Sequence, residues 1–261
     1  MSDSDELALL HLLAQSSAGA ASAPASLRER ILHDARATSF TFLAAGEGIW
    51  LPGPVPGVSI KALFLESHDR LTTRLVRLSA GSSMPGPLIA GCRAQYVIEG
   101  SLRDAHASTA ALAAGDFADE RDLARPAGWV AEHDALVIEF AQRDGRSSPP
   151  ELRRSGEATW HDAVPGGRVR ALAGAHHSPR EVLVLDMSPD STLGGHEHHG
   201  VEEVFVLGGS CVIEGRHMDV GDYHRAASQS THGETRALGL GCLLLVSVRD
   251  AARLAATAGA P

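Results

Sequence analysis

Cysteine is scarce in this chain: Cys92, Cys211 and Cys242 are its three thiols in 261 residues, and each stands alone. An odd total with no Cys-x-x-Cys pair excludes a disulfide framework and a cysteine-built zinc site, and fits reduced thiols in a cytoplasm. Clusters of positive charge are missing as well. With 23 Lys and Arg against 32 Asp and Glu, the formal net charge is −9, so a basic surface for duplex nucleic acid or an anionic membrane has no source. No apolar run approaches the ~20 residues that span a bilayer. The segment Met1-Ser-Asp-Ser-Asp-Glu6 is acidic, where a secretory signal is basic and then apolar. Nucleophile-elbow, phosphate-loop and dinucleotide fingerprints are absent. These absences lead to the expectation of a soluble cytoplasmic protein with no direct nucleic-acid or membrane partner.

What is present is enough apolar material to fold: 44% of the residues are hydrophobic. Over residues 1–39 the pattern is helical. Leu7, Leu10, Leu13 and Ala14 share one helix face, and Ser26-Leu-Arg-Glu29 is a capping box ahead of Leu27, Ile31 and Ala35. From Phe40 the period changes to short Val/Ile/Leu/Phe segments punctuated by Gly, Pro, Asp and Ser, as in a sandwich or barrel. Strands are expected at Ile60–Leu65, Thr73–Leu78, Tyr96–Ile98, Ala135–Phe140, Val182–Asp186, Val204–Leu207 and Leu243–Val248. Trp50, Trp129 and Trp160 recur near strand starts and are expected as core anchors. Cys211 and Cys242 sit in apolar strand contexts, as buried inert thiols do.

The β region also repeats. Gln95-Tyr-Val-Ile-Glu-Gly100 matches Val204-Phe-Val-Leu-Gly-Gly209, Gly115-Asp-Phe matches Gly221-Asp-Tyr, and Ala135-Leu-Val-Ile-Glu-Phe matches Gly241-Cys-Leu-Leu-Leu-Val. A linker, Arg143–Pro150, separates the two copies.

The second copy carries the chemistry in Gly195-His-Glu-His-His-Gly-Val-Glu-Glu203. Alternate residues of a strand share a face, so His196 and His198 can present two imidazoles to one point. A turn at His199-Gly200 can return Glu202 to that point, and His232 follows the Gly-Asp-aromatic turn on a later hairpin. Three imidazoles and a carboxylate suit zinc, iron, manganese or nickel. Glu203 falls on the opposite strand face if the run is regular. His224 is an extra histidine, either a hydrogen-bonding partner of a ligand or a surface residue. In the first copy Pro87, Ile89, Arg93 and Pro126 stand opposite the four donors, and none of them binds a metal. His106 and His133 are expected to be solvent-exposed.

The order His-x-His-x-x-x-Glu, Gly-Asp-aromatic, lone His resembles the two cupin motifs. The likeness spans roughly residues 40–250 and is sharpest over 190–248, where it resembles the ChrR-like cupins, whose best-known members are zinc-dependent anti-sigma factors. That resemblance implies an all-β fold, a tandem double-stranded β-helix (a bicupin of jelly-roll barrels) with a short N-terminal helical segment. The units would be 1–39, a degenerate cupin at 40–145 and a metal-binding cupin at 151–250. It further implies one divalent metal ion on His196, His198, Glu202 and His232, with zinc ahead of iron, manganese and nickel. The partner it implies is an ECF-type sigma factor, in transcription regulation of the oxidative stress response. A metal-dependent dioxygenase acting on a small organic substrate is the alternative, so whether the protein is an enzyme stays open. A small-molecule ligand in the second cupin and a homodimer are also expected. Two departures stand out: Ala227-Ser-Gln229 replaces the usual Pro-x-Gly before the last histidine, and the N-terminal His-x-x-x-Cys-x-x-Cys motif is absent, although His11 and His33 are present.

Overall fold

In the computed structural model, the described residues are 39–65, 71–86, 92–106, 111–120, 128–142, 151–157, 159–173, 180–196 and 200–249. The expected N-terminal helices, the linker at 143–150, and Pro87, Ile89, Pro126 and His198 lie outside them. The described chain is β throughout. It opens with β1 (Phe40–Leu43), β2 (Trp50–Pro52), β3 (Val58–Leu65), β4 (Leu71–Leu78), β5 (Cys92–Glu99), β6 (Ser101–Asp104), β7 (Ala111–Ala113), β8 (Phe117–Glu120), β9 (Trp129–Ala131) and β10 (Ala135–Gln142). It continues with β11 (Glu151–Arg153), β12 (His161–Val164), β13 (Gly167–Ala173), β14 (Arg180–Met187), β15 (Thr192–Leu193), β16 (Val201–Ile213), β17 (Arg216–Asp219), β18 (Tyr223–Ala226) and β19 (Thr235–Arg249). Every strand expected from the sequence falls inside one of these. Among the described residues no helix is long and apolar enough to cross a membrane.

The two copies build the same sheet. One runs β11-β8-β5-β10-β4-β3-β2, and the other β1-β18-β16-β19-β14-β13-β12. Cross-strand partners agree residue by residue: Arg93 faces Glu120 and Gln95 faces Ala118, as Glu202 faces Ala226 and Val204 faces His224. Each copy carries a bulge at the same place, Ile98 in β5 and Leu207 in β16. The last strand departs from the sequence alignment by one residue. Val97 pairs with Val137 and Val206 with Leu244, so Val137 corresponds to Leu244 rather than Leu243. The second-copy run, Cys242–Val246, is apolar on both faces and carries no marker of register, yet a one-residue slip exchanges every inward and outward side chain.

The outermost strands are exchanged. β1, which precedes the first copy, lies beside β18 of the second, and β11, which precedes the second, pairs with β8 of the first. The two Gly-Asp turns secure this exchange in matching ways. Asp116 accepts the N–H of Ala113 at 2.9 Å and of Ser155 at 2.7 Å; Asp222 accepts that of Asp219 at 2.9 Å and of Ala45 at 2.7 Å. Lys61 then donates to the Ala45 carbonyl and Arg170 to that of Ser155. Gly115 and Gly221 take φ of 90° and 89°, a left-handed turn that suits glycine.

Three apolar clusters result. Val76, Val97, Val137, Leu102 and Trp129 fill the first barrel, and Leu185, Val204, Val206, Leu244 and Val246 the second. Tyr96, Ile138 and Phe140 of the first copy meet Val184, Phe205 and Leu245 of the second in a shared seam. Cys211 and Cys242 are buried, as expected, and Cys92 is buried too; none of the three forms a disulfide among the described residues. Of the three tryptophans only Trp129 is a core residue. Trp50 and Trp160 are half-buried, each beneath a guanidinium, Arg77 at 4.3 Å and Arg168 at 4.9 Å; a large ring near a strand start is equally served by a covering arginine.

Burial alone would raise the Asp116 carboxyl, but the Ala113 and Ser155 N–H groups and Arg154 outweigh it and hold it below the usual carboxylate range. Its contribution is therefore complete at neutral pH and lost as the pH falls through that lowered value. In urea unfolding at pH 7, Asp116→Ala should cost about 1–3 kcal/mol, the cost of leaving part-buried N–H groups unmet, and Asp222→Ala should cost less, because water can reach the N–H groups it frees. The Asp116→Ala difference should shrink in acid.

Candidate metal centre

β16 places two adjacent carboxylates on opposite faces. Glu202 points into the second barrel with Val204 and Val206, and Glu203 points into the seam. There Glu203 accepts from Tyr223 at 2.6 Å, from Arg180 at 2.9 Å and from Thr73 of the first copy. That arrangement matches the strand-face argument that separated the two glutamates.

Around Glu202 the described donors gather on His232. Its Nε2 lies 3.4 Å from Glu202 Oε1 and 3.4 Å from His224 Nε2. His196 stacks on it, with ring centroids 5.7 Å apart and planes 20° off parallel. The approach of His196 differs from the expected strand: β15 ends at Leu193, and His196 follows in irregular chain tied by a backbone bond from His232 N to His196 O at 2.8 Å. His196 Nδ1 lies 3.1 Å from the Gly194 carbonyl. A carbonyl only accepts, so Nδ1 carries the proton and Nε2 keeps its lone pair.

Ala227-Ser-Gln229, which stands in for Pro-x-Gly, still makes the turn. Gln229 takes φ of 63°, the left-handed conformation a glycine would adopt there, and Ser230 closes the turn through its N–H to Ala227 O at 3.2 Å and its hydroxyl at 2.7 Å. His232 emerges from it buried. His224 is fully buried, with Phe42 stacked 4.4 Å from it, so it is no surface residue. A residue facing Val204 across β16 and β18 must line the barrel. His106 and His133 are exposed, as expected.

Sequence reasoning missed Glu214. With Gly215 it forms the two-residue turn between β16 and β17, at φ 50° and 72°. Such turns favour Asn, Asp or Gly, and a glutamate there is strained. Its carboxylate accepts the Gly233 N–H and lies 3.2 Å from His232 Nδ1. The proton is thereby held on Nδ1, leaving Nε2 as a donor aimed at Glu202 and His224, which is how carboxylates orient metal-bound histidines. A strained glutamate in a hairpin turn was the available signal, and its partner lies 18 residues away.

Metal–nitrogen bonds of 2.0–2.1 Å set neighbouring ligand atoms about 3.3 Å apart in a tetrahedron. The two 3.4 Å separations at His232 Nε2 suit that spacing, and the donor types suit a divalent transition metal. Among the described residues no three His, Cys, Asp or Glu side chains close around a single point.

Burial raises the Glu202 carboxyl from 4.5 to about 7. Burial, then repulsion from His196, lowers His232 from 6.5 to about 4. At neutral pH His232 is uncharged and Glu202 is still partly protonated, and a cation would displace that proton. In metal-free protein, native Glu202 holds a proton that the unfolded chain releases between pH 4.5 and about 7, so its contribution to stability declines as the pH rises through that window. Compared with wild type, metal-stripped Glu202→Gln should therefore gain stability across this range. The gain should be at most about 1.4 kcal/mol per pH unit and level off above pH 7; a pH-independent difference in chemical denaturation would contradict it.

Residues 150–252 match the family described as ChrR Cupin-like domain. No curated protein sequence matches the chain. Similar solved structures include a putative dioxygenase from Nostoc punctiforme, 15% identical with a TM-score of 0.65, the match covering 81% of this chain and 83% of that one. A bacterial pirin from Escherichia coli in complex with nickel(II) is 14% identical with a TM-score of 0.57, covering 81% and 99%. A Bacillus subtilis oxalate decarboxylase is 12% identical with a TM-score of 0.57, covering 80% and 77%. At these identities the structures share the fold, and the described chain accordingly has a cupin fold whose second copy is similar, over residues 150–252, to the ChrR Cupin-like domain.

Proposed function

We propose that this is a ChrR-like regulatory cupin whose second repeat binds one divalent metal ion through His196, His198, Glu202 and His232. His224 is a further imidazole beside them, and Glu214 orients His232. Zinc stands ahead of iron, manganese and nickel, and when bound it supplies a Lewis-acidic tie between chain segments rather than redox chemistry. In this reading the domain regulates an ECF-type sigma factor in the oxidative stress response, acting as an anti-sigma factor. The observation that supports binding and sensing over turnover is the burial of the donors: Glu202 is 8%, His232 4% and His224 0% exposed. A substrate needs open coordination positions, and these side chains face the barrel interior.

The second reading is a metal-dependent dioxygenase acting on a small organic substrate. Its support is the likeness to a putative dioxygenase over 81% of this chain.

Elemental analysis of protein purified from its native host should find one metal per chain, and His232→Ala should lose it. Glu214→Gln should keep the fold and weaken metal binding by about 10–100-fold, the usual effect of removing a histidine's orienting carboxylate. Zinc alone would sink the dioxygenase reading, whereas redox-active iron with substrate-dependent O₂ uptake would sink the regulatory one. An ECF-type sigma factor should co-purify from native lysate, and deletion of residues 1–38 should abolish that capture; recovery of no sigma factor would count against the anti-sigma role.

A further inference from the structure

The first barrel is not apolar at the depth where the second holds Glu202. Two rows of side chains cross β4, β10 and β5 on the face that also carries Val76, Val137 and Val97. One row reads Thr72, Ala141, Arg93, and the next reads Arg74, Glu139, Gln95. In the second copy the same rows read Glu181, Val248, Glu202 and Leu183, Val246, Val204. A guanidinium has taken the position of the metal-side carboxylate, and a fully apolar row has become Arg, Glu and Gln.

These side chains are sealed from solvent: Arg74 and Arg93 are 1% exposed, and Gln95 and Glu139 0%. Arg74 Nε donates to Glu139 Oε1 at 2.7 Å and its Nη2 to the Gly86 carbonyl at 2.9 Å. Arg93 donates to the Pro85 carbonyl at 3.1 Å and stands 3.7 Å from Glu139 Oε2. Gln95 Nε2 donates to the same Oε2 at 3.4 Å. Two guanidiniums thus surround one carboxylate among the described side chains. As barrel filling this is unfavourable, because well-packed apolar residues match or exceed the stability of a buried ion cluster.

Two buried polar atoms of these rows, Gln95 Oε1 and Thr72 Oγ1, have no hydrogen-bond partner among the described residues. Gln95 already spends its amide nitrogen on Glu139, so its oxygen requires a donor. Native proteins leave few such atoms unmet. A guanidinium fork matches a carboxylate, an acceptor-only amide oxygen matches a hydroxyl, and a threonine hydroxyl completes either group.

We infer that the first barrel binds a small hydroxycarboxylate, in the position that the metal centre occupies in the second barrel. The carboxylate meets Arg93 and Arg74, and the hydroxyl donates to Gln95 Oε1. This site rests on its own residues and is independent of the metal reading.

Metal-stripped full-length protein, titrated calorimetrically with glycolate and lactate, tests it against acetate, ethylene glycol and inorganic phosphate. The hydroxy acids should bind saturably, at least about tenfold more tightly than acetate, the difference of one buried hydrogen bond. Hydrogen exchange of the wild-type protein should show ligand protection in β5 and β10 and none in β16. Gln95→Leu and Thr72→Val should weaken binding by a similar factor, and the wild-type exchange map decides the matter if either fails to fold. No saturable binding, acetate binding as well as glycolate, or protection confined to β16 would each overturn the site; phosphate binding in place of the hydroxy acids would show a simple anion hole and overturn the assigned ligand.

Discussion

The alternation of side chains along β16 is the constraint on which the second copy depends. Neighbouring residues of a strand face opposite ways, so Glu202 and Glu203 serve two different interiors with no chain between them. Glu203 ties the seam between the copies through Tyr223, Arg180 and Thr73. Its anchoring holds the strand in rotation, and that rotation directs Glu202 at His232. A slip of one residue would bury the wrong carboxylate on each side. The cluster around Glu202 and the joint between barrels are therefore one mechanical unit.

Around that unit the two copies share a frame and differ in contents. Their sheets, bulges and Gly-Asp turns coincide, and their outer strands are exchanged, so neither sheet is built from one contiguous stretch of chain. The interiors diverge where the chemistry lies. The second barrel surrounds Glu202 with imidazoles over an apolar floor, whereas the first sets Arg93 above a row of Arg74, Glu139 and Gln95. Both are costly in a protein interior, since each buries groups that prefer water.

Strain accompanies the centre. Glu214 and Gln229 both occupy left-handed backbone, where other residue types are at ease. Glu214 exchanges that strain for a carboxylate bonded to Gly233 and placed beside His232. Gln229 holds the turn that delivers His232, although the glycine usual at that position would hold it without strain.

Much of this protein was legible in its residues alone. Period-two apolar runs with glycine punctuation specify strands, the repeated Gly-Asp-aromatic turns specify two similar copies, and the order of His196, Glu202 and His232 marks the candidate site. These signals are local, carried by spacing along a few residues. Tertiary structure decided what depends on register and distance. It set Glu139 in the place of Val246, because the apolar run Cys242–Val246 carries no record of which side faces inward. It brought Glu214 to His232 and buried His224, since neither contact leaves a mark in sequence spacing. It also exchanged β1 and β11 between the sheets, a choice made by edge pairing between separate stretches of chain and invisible to any local pattern.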